Sequence, residues 1–310
     1  MTGPSVLACP ASLKGVLAAR EAARALAAGF AQAGVACEQL PLADGGEGTL
    51  DALCEQTVAV PARDAFGRPR TARIGRFGRA VVVEAAEVIP FDPQRLDVLS
   101  ASSRGLGELL AGIDAEELLV AVGGTATMDA GAGLLEVLDA LPAPTTVLCD
   151  VRTALYDAPR LFGPQKGASP AQVAELEARF RALAGLAPYA ELPGAGAAGG
   201  LGAALASLGA ELVPGAPRVL DLVAFDPHGH ALVVTGEGRV DATTAEGKVA
   251  AEVVRRCAGA GVPCVVFGGV VEQPLPGVET IALSGDPARA RDDLAELGLR
   301  LGTRLLDAAG

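Results

Sequence analysis

Apolar and polar positions alternate in two rhythms along this chain. Val6-Leu7-Ala8 predicts a short buried strand, followed by a loop and an Ala-rich helix over about 16–33 that Gly34 stops. Residues 37–42 predict a second strand, ending at Asp44-Gly45-Gly46. That order of strand, loop and helix belongs to a parallel α/β sheet, where ligands sit beyond the carboxyl ends of strands. The same rhythm returns after about 217. It predicts a strand at 231–235, a glycine loop, a helix at about 248–259, a strand at 262–267 and a last strand at 280–283. Asp286-Pro287 reads as the cap of a final helix.

Between these stretches the pattern changes. Residues 57–63, 70–75 and 80–84 alternate between turns rich in Gly and Pro, as in an antiparallel meander. Further strands are expected at 118–122 and 146–149. Ser169-Pro170-Ala171-Gln172 predicts a capping box opening a helix to about 184. The expected architecture is α/β. Residues 1–58 and 217–310 form one doubly wound domain, and 59–216 form an inserted mixed α/β domain.

The unusual chemistry lies in glycine-punctuated loops at 9–15, 42–49, 122–133, 162–168 and 235–241. Glycine lets the backbone approach an anion closely, and Lys14, Lys166 and Lys248 are placed to meet phosphate. Asp44, Glu47, Asp129, Asp150, Glu237 and Asp241 are candidates to hold magnesium or take a proton. In Asp44-Gly45-Gly46-Glu47-Gly48-Thr49 two carboxylates flank two glycines directly after a strand. That pattern reads either as a helix-start turn or as a carboxylate pair beside a substrate hydroxyl. Lys248 opens a helix, against the macrodipole, which favours a functional lysine. Gly194-x-Gly196-x-x-Gly199 matches a dinucleotide fingerprint in letters, but a helix and prolines precede it rather than a strand. It is read either as close helix packing or as N–H groups offered to an anion, with a dinucleotide-dependent oxidoreductase as the remote alternative. His228 and His230 have no third ligand nearby in the sequence, which argues against a metal there.

The net charge of −12 and the 3% aromatic content change the picture in two ways. An acidic chain is a poor partner for a nucleic-acid backbone, and an anionic substrate must be drawn in by local charge. The core must be aliphatic. Six scattered cysteines without a C-x-x-C pair are expected to be reduced thiols. No apolar run reaches membrane-span length, so a cytoplasmic protein without membrane partners is expected.

In order and register, these loops resemble the bacterial glycerate kinase family, over nearly the whole chain. Residues 43–49, 162–168 and 192–202 match the family's A-D-G-G-E-G-T, F-G-P-Q-K-G-A and L-P-G-A-G-A-A-G-G-L-G. Thr235–Arg239 with Asp241, Thr244 and Gly247-Lys248 match T-G-E-G-R-x-D-x-Q-T-x-x-G-K. The resemblance implies a flavodoxin-like domain with a restriction-enzyme-like insertion and an active cleft between them. It implies ATP-dependent phosphorylation of D-glycerate with Mg2+, a small-molecule substrate, and leaves a homodimer open. Asp44, Glu47 and Lys14 are the expected catalytic residues. Ser12, Gly45, Gly46, Lys166, Gly194 and Gly196 are expected to bind substrate or phosphate. Gly236, Glu237, Arg239, Thr244 and Lys248 join them, and Asp129, Asp150 and Asp241 are the magnesium candidates. The chain departs from the family pattern at Ala11, where an aspartate is usual, and at Met128, Thr153 and Thr243. It is also shorter between Leu138 and Val147. These departures keep alternatives open: a degenerate member that binds without turnover, or a kinase for another hydroxy acid.

Overall fold

The computed structural model describes residues 4–309. In chain order the first strands are β1 (Ser5–Ala8), β2 (Ala36–Gln39), β3 (Thr57–Arg63), β4 (Pro69–Phe77), β5 (Ala80–Glu84) and β6 (Glu117–Ala121). They are followed by β7 (Thr145–Cys149), β8 (Glu211–Pro214), β9 (Leu232–Val240), β10 (Cys264–Val271) and β11 (Glu279–Ala282). The chain divides into two compact units: its two ends, up to Asp44 and from Val219 onward, and the segment Gly45–Arg218. The segment 45–58 thus lies with the second unit, where the helix Thr49–Leu53 touches β4 and β5.

The first unit is a parallel sheet in the order β11-β10-β9-β1-β2. The chain steps from β1 to β2, then returns on the other side of β1 at β9. This reversal makes the β1/β9 junction the switch point of a flavodoxin-like sheet, where a crevice opens at the carboxyl edge. Helices Ala19–Gln32 and Ala290–Ala309 cover one face, burying Leu26, Phe30, Leu294 and Leu297 against Val6, Val234 and Phe267. Each such side chain contributes roughly 1.5–3 kcal/mol of burial. Helix Val249–Ala260 covers the other face through Ala250, which packs with Val240 and Val266.

The second unit is a six-stranded sheet in the order β3-β4-β5-β6-β7-β8. β3, β4 and β5 pair antiparallel, because their connections are short turns. β5 to β8 pair parallel, because longer crossovers join them. Helix Pro170–Ala182 begins with the expected capping box: Ser169 Oγ accepts from Gln172 N–H, and Gln172 Oε1 accepts from Ser169 N–H.

Two local expectations are corrected. The segment 235–241 is not a loop after a strand. Its residues through Val240 continue β9, because β10 pairs with it along its length, from Cys264↔Val233 to Val271↔Val240. β1 ends at Ala8↔Val234, so this part of β9 runs past its neighbour. The second strand stops at Gln39 rather than Leu42, and Leu42 instead donates its N–H to Pro10 O.

Candidate active site

In the first unit the overhang of β9 carries the site residues. The loop after β1 follows it: Cys9 N–H donates to Val234 O, and Ala11 N–H donates to Gly236 O. A Cβ on Gly238 would lie 3.3 Å from Leu13 Cα and from Lys14 N. The loop carrying half-buried Ser12 and exposed Lys14 therefore lies against the strand that carries Glu237.

Glu237 is the centre of this group. Lys248 Nζ lies 3.4 Å from Glu237 Oε2 and 3.8 Å from Asp241 Oδ1. Burial pushes the Glu237 carboxyl up. The Lys248 charge and hydrogen bonding from Thr244 and Lys248 pull it back, and Asp44 raises it further. Glu237 Oε1 is buried with no hydrogen-bond partner among the described residues. Asp241 caps the turn that leads to Lys248: its Oδ1 accepts from Thr243 N–H at 2.8 Å and from Thr243 Oγ at 2.6 Å. Its own N–H donates to Thr244 Oγ1 at 3.1 Å. Thr243 therefore serves this cap. Asp44, Glu237, Asp241, Thr244 and Lys248 come together, while Arg239 pairs with Glu272 at 2.5 Å on the exposed surface. Gly236 is a strand residue whose place for a Cβ is taken by Phe267.

In the second unit the glycine loops and Asp150 converge. Gly123 N–H donates to Gly45 O at 3.1 Å. A Cβ on Gly123 would fall 2.6 Å from Asp150 Oδ2 and 2.7 Å from Gly46 Cα, so only glycine fits between them. Exposed Glu47 approaches Gly124. Lys166 is buried and donates from Nζ to Thr127 O at 2.9 Å. Burial pulls its ammonium down to about 8, against the pull of Asp150 and Asp129.

Asp129 has a structural occupation. Its Oδ2 accepts from Ser103 N–H, Ser103 Oγ and Gly133 N–H, and its Oδ1 from Gly131 N–H, at 2.7–3.2 Å. Ser103 was not expected; a lone serine ahead of a short helix carries no signal of a partner 26 residues on. The three magnesium candidates are divided between the two units. Asp129 and Asp150 flank Lys166, while Asp241 belongs to the other unit. Among the described residues no three His, Cys, Asp or Glu side chains gather as a metal site.

Gly194 and Gly196 pack backbone against backbone. A Cβ on Gly194 would meet Cys149 Sγ at 2.7 Å, and Ala154 O occupies the corresponding place at Gly196. The Gly196 N–H donates to Thr153 O at 2.9 Å, so it is not offered to an anion. The resemblance to a dinucleotide fingerprint thus reflects close packing, and no strand precedes it.

A parallel sheet with lysine and carboxylates gathered at its switch point, in a chain whose second unit carries converging glycine loops, defines an α/β protein of two units. Comparison with known proteins narrows the class. The sequence matches the glycerate kinase family over residues 6–143 and 139–285, and the chain belongs to that family. It is 32% identical to the glycerate 2-kinase of Escherichia coli K12 over 304 residues, covering 79% of each chain. It is 32% identical to a glycerate kinase of Bacillus subtilis, covering 86% of this chain and 85% of that one. Its fold matches the crystal structure assigned as glycerate kinase 2 of Salmonella typhimurium LT2, with a TM-score of 0.79, 28% identity and 99% of both chains covered. Among the described residues no helix is long and apolar enough to cross a membrane.

Proposed function

We propose that this protein is a kinase that transfers the terminal phosphoryl group of ATP to a hydroxyl of D-glycerate. One observation carries this reading beyond family membership. Of 25 basic residues only three are lysine, and all three, Lys14, Lys166 and Lys248, lie in the glycine-rich motifs. Arginine serves the surface ion pairs. A compact ammonium meets a phosphate as a point charge, and glycine backbone leaves room for that approach.

In phosphoryl transfer the protein positions groups and neutralises charge. Lys14 and Lys248 are suited to the transferred phosphoryl or the substrate carboxylate. Asp44 and Glu47 are suited to orient the acceptor hydroxyl and take its proton. Magnesium bound to a nucleotide keeps phosphate and water ligands and needs only one or two carboxylates. Asp150, held against Gly46 and Gly123, fits that need. Saturated Asp129 and the cap Asp241 fit it less well. When bound, the ion would neutralise phosphate charge.

ADP release coupled to glycerate, with the product's phosphate position read by phosphorus and proton NMR, tests the reading. Glycerate-dependent ADP release is expected. Turnover with another hydroxy acid alone would remove the substrate assignment, and no turnover with any would remove the kinase reading. The location of Met128 favours activity: it is buried among Leu155, Leu176 and Phe180, so its departure from the family pattern is spent in a core.

A further inference from the structure

Glu84 stands outside the chemistry proposed above. It is the last residue of β5 and only 2% exposed. Its carboxylate reaches from the sheet to the loop at 45–49. Oε1 accepts from the Gly48 N–H at 3.1 Å, and Oε2 accepts from the N–H groups of Gly48 at 3.1 Å and Leu50 at 3.0 Å. These are the orphan donors at the start of helix Thr49–Leu53. Gly48, with φ of +93° and no side chain, cannot cap them itself. The fully buried Thr49 donates from Oγ1 to Gly46 O at 2.7 Å. One carboxylate on a rigid strand and one hydroxyl therefore fix the backbone on both sides of Glu47.

We propose that Glu84 is a positioning residue: its carboxylate sets the backbone of Gly46-Glu47-Gly48 and thereby places Glu47 for the reaction. The proposal rests on the kinase reading. The surrounding charges make the arrangement sensitive to pH. Asp51 faces Glu84 from helix Thr49–Leu53, and Glu87 faces it from helix Ala85–Val88. Arg73 of β4 ties these two together, 2.8 Å from Asp51 Oδ1 and 2.6 Å from Glu87 Oε1. Glu47 lies in the loop itself, and the Cys54 thiol ends the helix beside Gly75. Burial pushes Glu84 up to about 7; the Leu50 and Gly48 N–H groups pull it down, and Glu87 and Asp51 push it up.

The ionised form accepts through both oxygens and as a charge-assisted partner; protonation puts an O–H on one of the two oxygens and weakens what the group accepts from these amides. The raised pKa means the folded protein binds more protons than the unfolded one between the ordinary carboxylate range and about 7. Stability from Glu84 therefore falls as pH rises across that window. Loop order and activity rise through the same titration. A role confined to holding the fold together does not move the two in opposite directions.

The test uses the full-length protein labelled with 15N. The Gly48 and Leu50 amides are followed without substrate from about pH 5.5 to about 8.5, bracketing the shifted carboxyl. Both should titrate together with a midpoint near 7, and Glu84→Gln should abolish the titration. With ATP and glycerate, Glu84→Gln should lower kcat about tenfold or more with KM little changed, and should remove the acidic limb of the pH profile. Glu84→Asp, which keeps the charge, should retain that limb. Amides that do not titrate in the wild type overturn the proposal, as does a Glu84→Gln enzyme with an unaltered pH profile. Should Glu84→Gln fail to fold, the wild-type amide titration decides alone. Absence of glycerate turnover in the wild type strikes the kinase reading; the amide measurement needs no substrate and keeps the two failures apart.

Discussion

Lys248 Nζ meets one oxygen of Glu237 at 3.4 Å, while the other oxygen of that carboxylate is buried with no hydrogen-bond partner among the described residues. A buried polar atom left unpaired costs stability and persists where function needs it. Glu237→Gln removes the charge at nearly constant size. Its kcat/KM should fall by about 10–100-fold, the equivalent of about 1.5–3 kcal/mol for a charge-assisted contact. Because burial raises this carboxyl, the native state binds more protons than the unfolded state above the ordinary carboxylate range. Wild-type stability should therefore decline with rising pH through the folded pKa, and the Gln variant should not share that decline. Thermal melts across pH, beside steady-state kinetics, check both. A Gln variant that is much less stable yet turns over normally would show Glu237 to be structural.

Lys166 carries the opposite sign. Its ammonium is pulled down to about 8 by burial, so the unfolded chain binds more protons between there and the ordinary lysine value. Stability should rise with pH across that window. Lys166→Met keeps the apolar stem and removes the charge, so it should flatten this dependence. Its turnover should fall by about tenfold or more if the ammonium meets phosphate. An unchanged kcat/KM would confine Lys166 to supporting the Thr127 carbonyl.

The doubly wound sheet was legible because it depends on periodicity: Val6-Leu7-Ala8, the Ala-rich helix and the β10 run have the signature of buried parallel elements. The meander at 57–84 was legible from its turns. What the sequence concealed is long-range. Nothing local in Thr235–Val240 shows that β10 will pair beyond the end of β1 and turn an expected loop into strand. Glycines were ambiguous for the same reason. Gly123 is glycine because Asp150 and Gly46 crowd it, and Gly196 because Ala154 does, yet both sit in similar small-residue runs. The carboxylates Asp129 and Asp150 look alike in sequence. Only the structure shows that four donors already occupy the first.

That difference separates the two aspartates experimentally. Asp129→Asn turns one acceptor oxygen into a donor facing N–H or hydroxyl donors. It should cost about 1–3 kcal/mol of stability, lowering the melting temperature by several degrees while the surviving folded enzyme keeps its kcat. Asp150→Asn should lower activity about tenfold or more and raise the magnesium requirement. Equal effects of the two substitutions on magnesium dependence would reinstate Asp129 as a ligand.

The positions that depart from the family pattern give the sharpest contrast. Ala11 is half-buried in the loop after β1, its N–H held by Gly236 O, and it sits beside Ser12 and close in sequence to Lys14. Ala11→Asp extends an existing Cβ and leaves the backbone bond in place, so the fold should tolerate it and glycerate turnover should rise severalfold. Met128 is 1% exposed within an apolar cluster. Met128→Asn would bury an amide among hydrocarbon side chains and lose the packing of the thioether, a cost of about 2–5 kcal/mol. The double variant should therefore be less stable than Ala11→Asp and no faster. Kinetics and melts of both singles and the double measure this directly. If activity rises only when both changes are present, the side chain at 128 acts on the site rather than in the core, and the degenerate-member reading gains its support.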